Sequence, residues 1–118
     1  MSLTIYYNPK CSTARNVLQS LREAGHEPTV VDYLKSPLSA EALRQLAHKL
    51  PHPHDLLRAK EPLYKALRLH PELSVEDIVN ALVSHPILLN RPICATDSFA
   101  MAVRPSAAVA TFLEHLTP

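Results

Sequence analysis

The feature that most constrains the fold is the order strand, helix, strand within residues 3–33, with very short connections. Residues 3–7 (LTIYY) and 29–33 (TVVDY) are rich in β-branched and aromatic side chains, which is typical of strands. Between them, apolar residues recur at the spacing of a helix that begins at Cys11 or Ser12: Val17, Leu18, Leu21 and Ala24. Consecutive strands joined through a helix pair in parallel, so this pattern predicts a βαβ unit and an α/β fold.

The rest of the chain predicts a helical middle followed by the order ββα. Helices are expected at 39–50, 54–58, 62–69 and 74–84, with Ser39 and Ser74 as N-caps. Residues 92–95 and 100–103 are expected to form a hairpin, and a last helix has Pro105 near its first position. The sequence therefore predicts a single domain over residues 1–118. Its fold is expected to be thioredoxin-like, a small mixed sheet with a helical insertion between the βαβ and ββα halves.

Composition excludes several classes of function. A single glycine among 118 residues cannot build the glycine-rich loops that bind nucleotides. The formal net charge of +1, without a basic stripe, argues against nucleic-acid binding. No apolar run approaches the ~18 residues of a membrane helix, and residues 1–11 do not resemble a signal peptide. We expect a soluble, cytoplasmic protein that binds neither nucleic acid nor membranes.

Cys11 lies in the polar turn NPKCST, between the first predicted strand and the first predicted helix. The free backbone N–H groups and partial positive charge of a helix N-terminus stabilise a thiolate, and Lys10 and Arg15 add positive charge nearby. A core cysteine would instead lie within an apolar periodic segment. Cys11 is therefore predicted to be a reactive nucleophile. The motif is not C-x-x-C, so a second thiol must come from elsewhere.

The other cysteine and the histidines have ordinary structural interpretations. Cys94 lies in the run ICA of a predicted strand, where a small apolar side chain is needed. His52 and His54 form an H-x-H pattern, with Asp55 and His48 nearby, but they lie between prolines in a polar loop. We expect Cys94 to be a packing residue and predict no metal site.

Three segments and a short motif together resemble a known family. The segments are YYNPKCSTARN at 6–16, LLRAKEPLYKAL at 56–67 and HPILLNRPI at 85–93, followed by V-R-P at 103–105. In this order and spacing they closely resemble the ArsC family of arsenate reductases, including its short bacterial members. The resemblance extends from residue 3 to residue 114 and implies a thioredoxin-like fold with a mostly helical insertion, as the pattern does.

The resemblance also implies a set of site residues. Cys11 matches the family's nucleophile, and Asn8 and Ser12 are assigned to substrate binding beside it. The anion-binding arginines are matched by Arg58, Arg91 and Arg104. Pro92 matches the cis-proline that lies opposite the reactive cysteine. Guanidinium groups keep their charge and present forked donors, which suits a tetrahedral oxyanion such as arsenate.

The reaction implied is the reduction of arsenate to arsenite without a bound cofactor. Cys11 would form a thiol–arsenate adduct, with glutathione as co-substrate and glutaredoxin as protein partner. Tyr7 departs from the pattern, because better characterised members carry a histidine there that is thought to help activate the cysteine.

Two other functions fit the same resemblance. One is a glutathione-dependent thiol-disulfide reductase that uses the arginines for the carboxylates of glutathione. The other is a non-enzymatic regulator of the Spx type, which binds RNA polymerase. Such regulators have C-x-x-C and lack the arginine before the last helix, whereas this chain has Ala14 and Arg104 at those places. Both differences favour an enzyme.

Overall fold

A computed structural model describes residues 3–116, and this range contains four strands and five α-helices. The strands are β1 (Thr4–Tyr7), β2 (Thr29–Asp32), β3 (Ile93–Ala95) and β4 (Ala100–Ala102). The helices are α1 (Ser12–Glu23), α2 (Ala40–Lys49), α3 (Pro62–Ala66), α4 (Val75–Ser84) and α5 (Val109–Glu114). The predicted domain also included residues 1–2 and 117–118, which lie outside the described residues. Within residues 3–116, no helix is long and apolar enough to cross a membrane.

The four strands form one mixed sheet in the order β2-β1-β3-β4. β1 and β2 are parallel, as expected for two strands joined through α1, whereas β3 pairs antiparallel with both β1 and β4. Helices α2 to α4 lie in sequence between β2 and β3. The predicted α/β class and the helical insertion between βαβ and ββα halves are therefore confirmed.

Apolar side chains pack on both faces of the sheet, because successive residues of a strand point to opposite faces. On β1, Ile5 belongs to one core cluster and Tyr6 packs against the other. The first cluster includes residues of α1 and α5: Val17, Leu18, Leu21 and Phe112. The second includes residues of the helical insertion: Leu43, Leu46, Ile78, Val79 and Leu82. The sheet is thus covered by helices on each side.

The ends of three helices have the local chemistry of ordinary helix caps. Ser39 and Ser74 accept hydrogen bonds from backbone N–H groups three residues later, each at 3.1 Å, so both predicted N-caps are confirmed. Gly25 has φ +90° just after α1, and the N–H of His26 donates to the carbonyl of Leu21 at 3.0 Å. This left-handed residue closes the helix and redirects the chain toward β2.

Two predicted helical segments are shorter or tighter than expected. Residues Pro53–Leu56 form a 3₁₀ turn, and α3 ends at Ala66 because Arg68 adopts a left-handed φ of 58°. The last helix also differs from its prediction. Ser106–Ala108 form a 3₁₀ turn before α5, with Pro105 as the residue preceding that turn rather than near the first position of an α-helix.

The helical insertion is tied to the segment before β3 by a short antiparallel bridge. Leu57 pairs with Leu89, and the N–H of Arg58 donates to the carbonyl of Leu88 at 2.8 Å. The N–H of Asn90 in turn donates to the carbonyl of Leu56 at 2.7 Å. These bonds fix the backbone of Arg58 beside the start of β3, although more than thirty residues separate the two in sequence.

Candidate active site

Cys11 occupies the N-cap position of α1, at the carboxyl end of the parallel strands. Its backbone N–H donates to the carbonyl of Asn8 at 2.9 Å. The side chain of Asn8 is only 6% exposed, and its Oδ1 accepts from the N–H of Lys10 at 2.9 Å. Asn8 therefore shapes the loop that presents the thiol. Ser12 is the exposed first residue of α1, next to that thiol.

Arg104 connects the thiol to the opposite side of the site. Its Nη1 lies 3.6 Å from Cys11 Sγ and donates to the carbonyl oxygen of Arg91 at 2.8 Å. Arg104 follows β4 by two residues, and Arg91 precedes β3 by two residues. The antiparallel hairpin therefore brings both arginines to the same end of the sheet as Cys11.

The pKa of the Cys11 thiol lies below its ordinary value. Partial burial is the largest single influence and acts to raise this pKa. It is outweighed by hydrogen bonding from the backbone N–H of Ala14 and then by the guanidinium groups of Arg104 and Arg91, which all favour the thiolate. A helix N-terminus and two arginines thus act together, and the arginines are distant from Cys11 in sequence.

Two guanidinium nitrogens of Arg91, Nε and Nη1, are buried and have no hydrogen-bond partner. Buried donors of a charged group are nearly always paired, so an unpaired set marks a place where an acceptor can bind.

The peptide bond between Arg91 and Pro92 is cis, as predicted for Pro92. The bond between Arg104 and Pro105 is cis as well, which the sequence does not predict.

Arg58 lies in an open cleft next to the thiol site. The cleft has a volume of about 450 Å³, and Arg58, Lys60, Asn90 and Arg104 are among its lining residues. Arg58 Nη1 is 3.5 Å from the Oε2 of Glu61, an ion pair long enough to exchange for a better anion. Of the three predicted arginines, two therefore meet at Cys11, and the third shares a cleft with Arg104.

Arg15 and Tyr7 face a different surface. Arg15 Nη1 donates to the carbonyl of Pro9 at 2.8 Å, so this guanidinium braces the loop before Cys11. Arg15 and Tyr7 line a groove along α1. The main influences that lower the pKa of Cys11 come from Ala14, Arg104 and Arg91 rather than from Lys10 or Arg15.

Cys94 is packed inside the sheet, as predicted. It has no exposed surface, and burial raises the pKa of its thiol to about 12. Both cysteines are free. A thiol that is neutral and enclosed at neutral pH cannot attack an adduct on Cys11, since the thiolate is the nucleophile.

The histidine pattern at 52–54 does not form a ligand cluster. His54 Nε2 lies 2.6 Å from the hydroxyl oxygen of Tyr64, and His52 is exposed. Within residues 3–116, no group of three His, Cys, Asp or Glu side chains is arranged to hold a metal ion.

Tyr33 lies near the site, although the sequence pattern predicts only a strand residue at this position. It follows the end of β2, and its side chain is 1% exposed with a hydroxyl that has no hydrogen-bond partner. The parallel pairing of Tyr7 with Asp32 places Asn8 and Tyr33 one step further along their strands. Because parallel strands end at the same edge, a polar residue at this position could have been recognised as a neighbour of the Cys11 loop.

The sequence matches the ArsC family over residues 6–112. An arsenate reductase of Rhizobium meliloti is 41% identical over 115 residues, which cover 96% of this chain and 82% of the relative. The uncharacterised protein YfgD of Escherichia coli K12 is 43% identical over 104 residues, covering 86% of this chain and 87% of the relative. The solved structure of an arsenate reductase from Vibrio cholerae has a TM-score of 0.83 at 38% identity and covers 94% of this chain and 97% of that one. Together with the thioredoxin-like sheet and the Cys11 loop, these matches show that the chain belongs to the ArsC family.

Proposed function

We propose that this protein is an arsenate reductase that uses Cys11 as its single nucleophile. The observation that supports this most is the contact between Cys11 Sγ and Arg104 Nη1 at 3.6 Å, beside the unpaired buried donors of Arg91. An activated thiol next to unpaired guanidinium donors suits a reaction between a thiolate and an oxyanion. Relatives with this name match the chain over most of its length.

The arginines address the main obstacle to the first step, which is repulsion between two anions. Arsenate carries a charge between −1 and −2 near neutrality, and a thiolate is negative as well. Arg91 and Arg104 neutralise this charge at the thiol, and Arg58 adds a third cation along the cleft. Cys11 Sγ then forms a bond to arsenic, an As–O bond breaks, and the oxygen leaves as water. Arsenic remains pentavalent in this adduct.

The two electrons that reduce arsenic come from thiols outside the chain. The chain has two cysteines, and Cys94 is enclosed. Glutathione replaces a second oxygen of the adduct, which again leaves as water. A glutaredoxin thiolate then attacks the glutathione sulfur, a disulfide forms between them, and the electron pair stays on arsenic. Water releases arsenite and regenerates the Cys11 thiol, so the net reaction consumes arsenate and two thiols and yields arsenite, one disulfide and one water.

The cleft beside Arg58 offers the approach for these thiols. Glutathione is anionic, and the cleft presents cationic side chains from Arg58, Lys60 and Arg104 at its wall. Arg104 belongs to both the cleft and the thiol site, so an anionic thiol bound there would lie next to the adduct. A reaction that depends on glutathione fits a reducing compartment, and we therefore assign the protein to the cytoplasm.

The proposal predicts a strict requirement for external thiols. Purified protein with arsenate, glutathione and glutaredoxin should form arsenite over many turnovers. Omission of both thiols should leave arsenite at the level of the protein-free reaction, because Cys94 cannot replace them. Arsenite is measured by chromatography coupled to elemental detection.

Two outcomes would contradict arsenate reduction. A protein that forms no arsenite but reduces mixed disulfides of glutathione would be a thiol-disulfide reductase. A protein that is inactive in both assays and captures purified RNA polymerase would be a regulator of the Spx type.

A further inference from the structure

Three buried polar side-chain atoms lack a hydrogen-bond partner, and all three belong to two residues. They are the Oη of Tyr33 and the Nε and Nη1 of Arg91, the whole set found within residues 3–116. A buried donor without an acceptor costs free energy. Because both Tyr33 and Arg91 bear this cost, we infer a binding site whose ligand supplies the missing hydrogen-bond acceptors.

The sheet places these two residues on either side of the Cys11 loop. Asn8 and Tyr33 each follow the last paired residue of the parallel strands β1 and β2, while Arg91 precedes β3 on the other side of β1. Cys11 lies next to these residues, because its backbone N–H donates to the carbonyl of Asn8. Arg104 contacts both Cys11 Sγ and the carbonyl of Arg91, which connects Cys11 to Arg91 as well.

The hydroxyl of Tyr33 is a hydrogen-bond donor under physiological conditions. Burial raises the pKa of this phenol, and the nearby Arg91 and Asn8 lower it by less. The phenol therefore keeps its proton throughout the pH range in which an oxyanion binds. A neutral donor and a guanidinium side by side can share the oxygens of one anion, which accepts hydrogen bonds and donates few.

We propose that Tyr33 is an anion-binding residue of the oxyanion site, where its Oη–H donates to an oxygen of the bound tetrahedral anion beside the Nε and Nη1 of Arg91. This inference rests on the proposed function, because the anion is the one that Cys11 attacks. It adds to the cationic residues of the site a neutral donor from the residue after β2, on the side away from Arg104.

A purely structural role explains the ring of Tyr33 but not its hydroxyl. The ring packs in the core cluster of the helical insertion, where Leu38, Leu43 and Leu82 are among its neighbours in a small cavity. A phenylalanine would fill the same space. The hydroxyl is near enough to Arg91 and Asn8 for both to lower the pKa of the phenol, but neither makes a hydrogen bond of good geometry to it, so it lies beside the arginine of the site with its hydrogen-bonding capacity unused.

The test is the affinity of Tyr33→Phe for inorganic arsenate and sulfate, measured without any thiol substrate. Bound anion protects Cys11 from alkylation by iodoacetamide, and the concentration for half protection gives the dissociation constant. We expect Tyr33→Phe to bind both anions about tenfold or more weakly, as for the loss of a hydrogen bond to a charged group, with unchanged or higher thermal stability. Tyr6→Phe, a second tyrosine packed against the same core cluster, should bind both anions as the unmodified protein does.

The outcomes separate this inference from the proposed function. Equal anion affinity in Tyr33→Phe and the unmodified protein would overturn the role of Tyr33, even if arsenate is reduced. Weaker binding in Tyr33→Phe would support the role of Tyr33, even if the unmodified protein forms no arsenite. If the unmodified protein binds neither anion, both ideas are wrong.

Discussion

Replacement of Cys11 by serine is expected to lower the rate of arsenite formation by roughly 10³-fold or more, to the background of the assay. A serine hydroxyl stays protonated near neutrality, and the side-chain contact at position 11 is with Arg104, which is a cation and not a base. The helix N-terminus and Arg104 that stabilise a thiolate cannot ionise an alcohol to a useful extent. A serine would also replace the bond between Cys11 Sγ and arsenic by an oxygen–arsenic bond, so the proposed adduct could not form.

The matched control for this variant is Cys94→Ala. It removes the other sulfur of the chain from a fully buried position, so some loss of stability is expected, but the rate per folded molecule should be close to that of the unmodified protein. Circular dichroism and thermal unfolding show whether each variant is folded. Arsenite formation that survives in folded Cys11→Ser would exclude the proposed mechanism.

Replacement of Arg91 is expected to have the second largest effect. Arg91→Ala should lower kcat/KM for arsenate by about 10²–10³-fold, as measured when one donor to a developing anion is removed from an enzyme site. Arg91→Lys keeps the positive charge but loses the planar pair of donors, Nε and Nη1, which lie buried and unpaired. Since lysine cannot reproduce this geometry, we expect it to recover little of the activity.

The control for Arg91 is Arg44→Ala. Unlike Arg91, Arg44 is ion-paired, and it binds Glu76 and Glu41 on the surface of the helical insertion. Its removal changes the net charge by the same amount and should leave kcat/KM for arsenate unchanged. If Arg91→Lys is as active as the unmodified protein, charge alone is sufficient and the two buried donors do not bind the anion. Equal losses in Arg44→Ala and Arg91→Ala would indicate a general effect of charge.

Local chemistry made much of the fold predictable. Ser39 and Ser74 precede apolar periodic segments, and each caps its helix as a short polar side chain does. The βαβ unit follows from two β-rich segments joined through one helix, which leaves few alternatives to parallel pairing. The left-handed residue Arg68 carries no such signal, so the early end of α3 could not be foreseen.

The site was predictable where it depends on residue type and not where it depends on distance. The position of Cys11 at a helix start follows from local sequence, and Arg104 and Arg91 came from the family resemblance. Sequence could not show that Arg104 bridges Cys11 and the carbonyl of Arg91, because that contact joins residues 93 positions apart. Nor could it show the unpaired hydroxyl of Tyr33, which is visible only when the packing of its neighbours is known.

The central claim is that Cys11 is a thiolate held in an anion-binding pocket, and the pH dependence of its alkylation by iodoacetamide tests this most directly. Cys11→Ser supplies the blank, because burial raises the pKa of Cys94 to about 12 and that thiol stays unreactive. The rate reports the thiolate fraction, so we predict a half-maximal rate at a pH below the ~8.5 of an ordinary cysteine, and slower alkylation when arsenate or sulfate is added. A midpoint at or above ~8.5, with no effect of either anion, would contradict the pocket and the function proposed from it.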